Sequence, residues 1–416
     1  MSNGNRKPRR LPTNNPKPHR AWVRGMFSKA TSAALALAIL LGLGAVATPS
    51  AGAQTFRVLY NFTGSDGAFP QAGLVRDATG NLYGTTEEGG ASGYGVVFKM
   101  DTSGTEVVLH SFTGGKDGEY PVAELIRDRA GNLYGTTSGG GDHGLGTVFK
   151  LDTAGTETVL YSFAGGTTDG CDPYAGLLRD DAGNLYGTAF SCGASGVGTV
   201  FKVDTAGKET VLHSFAGYPT DGANPYLAGL LMDPQGNLYG VTEYGGRDAE
   251  GVVYKLSKTR RWTVLRSFTA GGDGYYPAGT LVMDRHGNLY GTTQQCGSYC
   301  YGTVWKMSKN GAETVLHTFE AGSSDGDNPR AGVIMDAKGN FYGDTEFGGA
   351  SYRGVVYQLD KRGMLTLLHN FTGSDGLYPI GGLVRDAKGN LYGTTFYGGS
   401  GEECQSGCGT VWQITR

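Results

Sequence analysis

The sequence predicts an all-β protein, a seven-bladed β-propeller whose blades are four-stranded antiparallel sheets. Three observations predict it. Gly-Asn pairs begin at Gly80, Gly131, Gly183, Gly236, Gly287, Gly339 and Gly389, each opening a Leu-Tyr-Gly or Phe-Tyr-Gly tract, at spacings of 50 to 53 residues. A period near 50, built from strand-like segments and glycine turns, marks a propeller. The chain ends supply the third observation. Residues 57–62 (RVLYNF) match the fourth strand of a repeat, and residues 409–415 (GTVWQIT) form a third strand with no fourth to follow. The N-terminal strand is therefore expected to close the last blade.

Each repeat divides in the same way. Residues 72–76 (AGLVR) read as a first, apolar strand, and 77–81 as a tight turn in which Gly80 can take the positive φ that other residues resist. Residues 82–86 form a second strand, rich in the Tyr and Thr that suit a pleated surface. A glycine-containing loop at 87–95 leads to a third strand at 96–100, a turn at 101–104 and a fourth strand at 106–112. The third strand is apolar nearly throughout, from Val97-Phe98 to Val411-Trp412, so burial between neighbouring blades is expected for both faces. One first-strand position stays small, at Gly73, Gly176, Gly229, Thr280, Gly332 and Gly382, as crowding round a central channel requires. Glu124 is the exception. Closure removes exposed sheet edges, and the chain is read as a monomer.

The first 53 residues are of another kind. They hold eight basic residues (Arg6, Lys7, Arg9, Arg10, Lys17, Arg20, Arg24, Lys29) and no acid, then an apolar run at 30–47 and Ala51-Gly52-Ala53. This is the layout of an export signal cut after Ala53. An uncleaved anchor is the alternative, because the apolar run nearly suffices to span a bilayer. Both readings place residues 54–416 outside the cytoplasm, secreted or periplasmic. Without the segment, Lys plus Arg falls from 35 to 27 against 38 Asp plus Glu, a net charge near −11. Such acidity argues against nucleic acid or an anionic membrane as partner, since phosphate binding needs a basic footprint. Six cysteines suit an oxidising compartment. Cys296 with Cys300, and Cys404 with Cys408, are each expected to close a local loop, leaving Cys171 for Cys192. Either C-x-x-x-C could instead hold a metal, yet no His or further Cys accompanies it in sequence. No metal or cofactor is therefore expected.

Four motifs recur through all seven units: GNLYGTT at 80–86, G-x-V-F-K at 95–99, ETVLHSF at 209–215 and D-G-x-x-P at 66–70. On these residues the chain from Gln54 onward resembles the GloVer tandem-repeat family of bacterial extracellular proteins, also called the Gloeo-Verruco or choice-of-anchor repeat. The resemblance implies export, and often a C-terminal anchoring segment that is not seen before Arg416. It implies no catalytic residue, because the family has no agreed biochemical activity.

In a four-stranded meander, loops between second and third strands share an end with loops between blades. That end carries the longest loops and all six cysteines. It also carries Tyr94, Tyr120, Tyr226, Tyr244, Tyr275, Tyr276, Phe347, Tyr352, Tyr378 and Tyr397, with Phe69, Tyr299 and Tyr301 beside them. Tyrosines among glycines suit contact with sugars or peptides; packing beneath the loops is their alternative role. The mouth of the propeller is the expected site. Aspartates 66, 117, 169, 221, 273, 325 and 375 of the D-G-x-x-P element read as turn caps, lacking the alternate ligands of a calcium loop. His110, His213, His317 and His369 share one fourth-strand position, so they spread round the ring without converging. Departures from the repeat near the loop end are Glu124, Asp142, His143, Arg247, Asp248, Glu250, Asp327, Arg330, Asp344, Glu402 and Glu403. A carboxylate pair among them could serve acid–base chemistry, as in glycoside cleavage, but no spacing selects one. The sequence thus predicts an exported, non-enzymatic propeller that binds a polysaccharide, peptide or envelope partner through its loop-rich end. A carbohydrate-active hydrolase or lyase, and an inert surface or matrix component, are the alternatives.

Overall fold

The structure is a computed structural model and describes residues 54–269, 271–401 and 403–416; the expected signal segment at 1–53, with its cleavage or anchoring, and Glu402 lie outside them. Seven antiparallel four-stranded sheets follow one another along the chain. The first comprises Val75–Arg76, Leu82–Thr86, Val96–Met100 and Glu106–Ser111. The seventh joins Val384–Arg385, Leu391–Thr395 and Thr410–Thr415 to the N-terminal strand Thr55–Asn61. That strand runs antiparallel to Thr410–Thr415, Thr55 opposite Thr415 and Asn61 opposite Thr410, so the two ends close the ring.

Local chemistry explains the repeat. In the turn after the first strand, Asp77 accepts hydrogen bonds from the backbone N–H of Thr79 and Asn81, the Asn81 side chain and the Tyr83 hydroxyl. Aspartate, asparagine and tyrosine of the D-x-x-G-N-L-Y run are thus one network. The second glycine of the tract makes room for a ring: a Cβ on Gly84 would lie 2.6 Å from Phe98. Rings also join the blades. Phe62 meets Phe98 edge-on at 5.1 Å, Phe112 meets Phe149 at 5.3 Å and Phe163 meets Phe201 at 5.1 Å, each fourth strand against the next blade's third. The D-G-x-x-P aspartates cap their turns and also bind the fourth-strand column. Asp66 accepts from Tyr60 and Thr63 N–H, Asp221 from Ala216 N–H while pairing with His213, and Asp273 pairs with Arg266.

The innermost strand departs from expectation. It pairs over two residues, Val75–Arg76, where five were read. Crowding is the reason: a Cβ on Gly73 would sit 2.8 Å from the carbonyl oxygen of Gly381 in the seventh blade, so the chain follows the channel wall before it can pair. In the fifth blade Tyr275–Met283 is continuous, with an irregularity between Ala278 and Val282.

Candidate functional site

At the loop-rich end, the segment entering each blade meets the loop leaving that blade's second strand. Gly170–Cys171 pairs with Ser191–Cys192, Gly222–Ala223 with Tyr244–Gly245, and Gly326–Asp327 with Phe347–Gly348. A residue of positive φ follows, directly before proline: Phe69, Tyr120, Asp172, Asn224, Tyr276, Asn328 and Tyr378, with φ between 54° and 61°. Holding an L residue there costs on the order of 1 kcal/mol, and backbone bonds hold it. Tyr120 N–H donates to the Tyr94 carbonyl of the preceding blade, and its own carbonyl accepts from Ser138 N–H. The carbonyls of Phe69, Asp172, Asn224, Asn328 and Tyr378 likewise accept from Glu87, Phe190, Glu243, Glu346 and Phe396. In six blades this clamp fixes the residue that follows the second strand; in the fifth the equivalent residue, Gln294, lies within the strand Leu289–Gln295.

Those residues break the repeat, with Glu at 87, 243 and 346, Phe at 190 and 396, and Ser138 and Gln294 in the remaining blades. Two places before the small first-strand position the chain is equally irregular, with Gln71, Val122, Tyr174, Leu227, Arg330 and Ile380 lining a cavity of about 320 Å3 in the channel. Arg330 is the hub. It pairs with Glu346 at 3.5 Å, lies over the Tyr226 ring at 5.8 Å from its centroid, and reaches the Tyr226 hydroxyl at 3.5 Å. Tyr226 packs edge-on against Tyr174 at 5.3 Å and Phe190 at 5.7 Å. Glu243 and Glu87 both act electrostatically on Tyr226, and Glu87 acts on Tyr174. Burial, helped by Glu88, pushes the Glu87 carboxyl up to about 7. Burial also raises Glu243 and Glu346, opposed by the charge of Arg330. Two residues further along the chain, Glu124 and Thr280 face the channel from the second and fifth blades. Water reaches Glu124, yet protein surrounds it, and that enclosure pushes its carboxyl up to about 7.

Of the ten aromatics expected at a binding surface, Tyr226 joins this cluster. The others pair with one another, Tyr94 with Tyr120, Tyr244 with Tyr276 and Phe347 with Tyr378 between neighbouring blades, and Tyr275 with Tyr276, Phe347 with Tyr352 and Tyr378 with Tyr397 within one blade. Tyr244 and Tyr352 remain exposed, at 38% and 51%. Among the repeat-breaking residues, Arg330 and Glu124 converge on the channel. Asp344 is buried within the sixth blade, Asp142 pairs with Lys116, Arg247 with Asp248, and Asp327 accepts from Tyr352. His143 and Glu403 are exposed on loops and Glu250 is half-buried. The cysteines pair as Cys171–Cys192, Cys296–Cys300 and Cys404–Cys408. Among the described residues no group of three or more His, Cys, Asp or Glu is placed to hold a metal ion. Sequence reasoning misses Glu87, Glu243, Glu346, Tyr174 and Phe190. The signal that finds them is a pair of columns that change chemical class from repeat to repeat: the residue after the GNLYGTT tract finds Glu87, Phe190, Glu243 and Glu346, and the residue two before the small position finds Tyr174.

The fold is shared with virginiamycin B lyase from Staphylococcus aureus, at 10% identity and TM-score 0.58 over 87% of this chain and 99% of that one. It is shared with the extracellular domain assigned to a hybrid two-component system of B. thetaiotaomicron, at 15% identity and TM-score 0.56; the match spans 88% of this chain and 42% of that one. A protein assigned as a 6-phosphogluconolactonase from Bacteroides uniformis is similar at 17% identity and TM-score 0.51, over 78% of this chain and 89% of that one. At such identities the likeness is one of fold. No protein of curated function matches in sequence. The profile of the Gloeobacter/Verrucomicrobia repeat matches residues 41–181, 108–292 and 280–416, which together span the ring, and the chain belongs to that repeat family.

Proposed function

We propose that this protein is an exported, non-enzymatic propeller that binds the terminal sugar of a neutral glycan in the mouth of its channel. The observation that carries the reading is convergence. In a chain that otherwise repeats sevenfold, residues of unlike chemistry from the first, third, fourth and sixth blades meet at one place: Glu87, Tyr174, Tyr226, Glu243, Arg330 and Glu346. The rings offer flat apolar faces to a sugar. A carboxyl pushed toward neutrality, such as Glu87, is present partly protonated, so it both donates and accepts, which matches a hydroxyl better than an ammonium. About 320 Å3 lies at the small end of ligand pockets, roughly 300–1,000 Å3. Blades surround it on all sides, so a chain end enters where the middle of a polymer would not. The basic, apolar and Ala-x-Ala leader of the sequence and the three disulfides support export.

A glycan array followed by calorimetric titration tests the reading. Tyr226→Ala and Glu243→Gln are expected to weaken binding roughly tenfold, while His143→Ala on an exposed loop leaves it unchanged. Absence of any bound glycan, or wild-type affinity in both mouth variants, would overturn the proposal; tighter binding of a cationic peptide would replace the sugar. One observation favours a second reading. A carboxyl titrating near 7 beside aromatic rings suits a general acid, so glycoside cleavage predicts product release that Glu87→Gln abolishes. A broad substrate screen without product removes it.

A further inference from the structure

At the end opposite the mouth, three turn columns change together in two adjacent blades. The turn from third to fourth strand opens with Asp101, Asp152, Asp204 and Asp360 in blades one, two, three and six. Asp101 caps that turn by accepting from Ser103 and Thr105 N–H at 2.8 and 2.9 Å. In blades four and five the residue is Ser257 and Ser308, whose hydroxyls accept from Arg261 and Ala312 N–H at 2.9 and 3.2 Å. The cap is kept and its negative charge is gone. The next residue is Thr102, Thr153 or Thr205 in the first three blades, but Lys258 and Lys309 here. In those three blades Arg76, Arg127 and Arg179 lay a guanidinium over Gly80, Gly131 and Gly183, 2.9 to 3.0 Å from where a Cβ would be. Their counterparts are Met232 and Met283, and only the methylenes of Lys258 and Lys309 approach Gly236 and Gly287, at 3.4 and 3.9 Å.

The space that no guanidinium fills is a groove of about 680 Å3 between the fourth and fifth blades, with Lys255, Met283, Arg285 and Lys309 in its wall. Lys255 is propped over the Tyr239 ring at 5.2 Å. Among the described residues Lys255, Lys258, Arg260, Arg261, Arg285 and Lys309 make no ion pair within 4.0 Å. The two acids of the groove are engaged in their own turns, Asp233 by Asn237 and Tyr239 and Asp284 by Asn288 and Tyr290. An acidic protein thus keeps a cationic strip, built by substitutions that the fold does not need.

We infer that this groove binds a linear anionic polysaccharide, its uronate or sulfate groups held by Lys255, Arg285 and Lys309 in the wall and by the exposed Lys258 on the adjoining turn. An open groove admits the middle of a polymer, and strung-out cations match a repeating charge. Nucleic acid fits less well, because successive bases need a series of exposed rings to stack on: Tyr239 is buried beneath Lys255, which leaves the single small imidazole of His286 exposed in the groove wall. The experiment measures binding of the chain to polygalacturonate and dextran sulfate, with neutral dextran as blank, at low and high salt. Salt-sensitive binding to at least one polyanion is expected, and none to dextran. Lys258→Thr/Lys309→Thr copies the residues of blades one to three, so its melting should match the native protein while its binding weakens roughly tenfold with a shallower salt dependence. No polyanion bound at low salt, or equal binding by the variant, overturns the inference. Tighter binding of single-stranded DNA than of either polysaccharide overturns it too.

Discussion

Thr85, Thr136, Thr292 and Thr394 donate their hydroxyls to the carbonyls of Ala123, Ala175, Ala331 and Ala72 in the next blade, at 2.9 to 3.3 Å. In the sixth blade the residue is Asp344. It is 1% exposed, and neither carboxylate oxygen has a well-formed hydrogen bond. Burial pushes it up to about 8, only partly opposed by the backbone N–H of Gly382. The folded state therefore keeps a proton that the unfolded chain releases above about pH 4. The resulting loss of stability grows as pH rises from about 4 to about 8. Asp344→Thr restores the repeated bond and removes that loss. Its melting temperature is expected to exceed the native one at pH 8 and to approach it at pH 5; no difference at pH 8 would contradict this. Asp344 was legible in the sequence as a departure from the repeat, but its burial was not. Glu87 was the reverse case. Its acid looked ordinary, and its place at the mouth depends on the left-handed Phe69, a conformation that Phe does not announce.

At the scale of elements, the second, third and fourth strands of each blade were legible almost to the residue. The GNLYG tract carries its turn network and its ring-receiving glycine in one run. The first strand was not, because its pairing is decided by how closely seven chains approach round the channel, a property of the ring and of no single repeat. The three disulfides differ in the length of chain they close. Cys171–Cys192 closes a loop of 21 residues and ties the segment entering the third blade to the loop after its second strand, next to Phe190. Chain-entropy reasoning assigns such a loop about 3 kcal/mol, and about 2 kcal/mol to the four-residue loops of Cys296–Cys300 and Cys404–Cys408. Chemical denaturation of paired Cys→Ser variants should therefore show the largest drop for Cys171/Cys192. An equal or smaller drop there would argue that native contacts, not loop closure, set the ranking.

Across the whole molecule, two populations of carboxyls pull stability in opposite directions with pH. Glu87, Glu106, Glu124, Glu157, Glu209 and Glu313 are pushed up to about 7, chiefly by burial. They hold protons in the fold, so their contribution falls as pH rises from about 4 to about 7. The turn aspartates, including Asp77, Asp128, Asp233 and Asp284, go the other way. Burial would raise them, but hydrogen bonds from asparagine, tyrosine and backbone outweigh it, and Asp284 is held at about 2. Their contribution is present above about pH 4 and lost as pH falls. Calorimetric melting is expected to be highest near about pH 5 and lower at pH 8; a maximum at or above pH 8 would contradict the balance. The ring itself was legible, because the repeat count and the matching strands at the two ends specify closure. The ligand was not, because convergence at the mouth is a relation among columns on different blades. Backbone hydrogen exchange, with and without a glycan that binds, tests that convergence most directly. Slowed exchange is expected at residues 87, 226, 243, 330 and 346, the amides around the channel mouth. Slowed exchange confined to the outer loops or to the opposite end of the ring would contradict it.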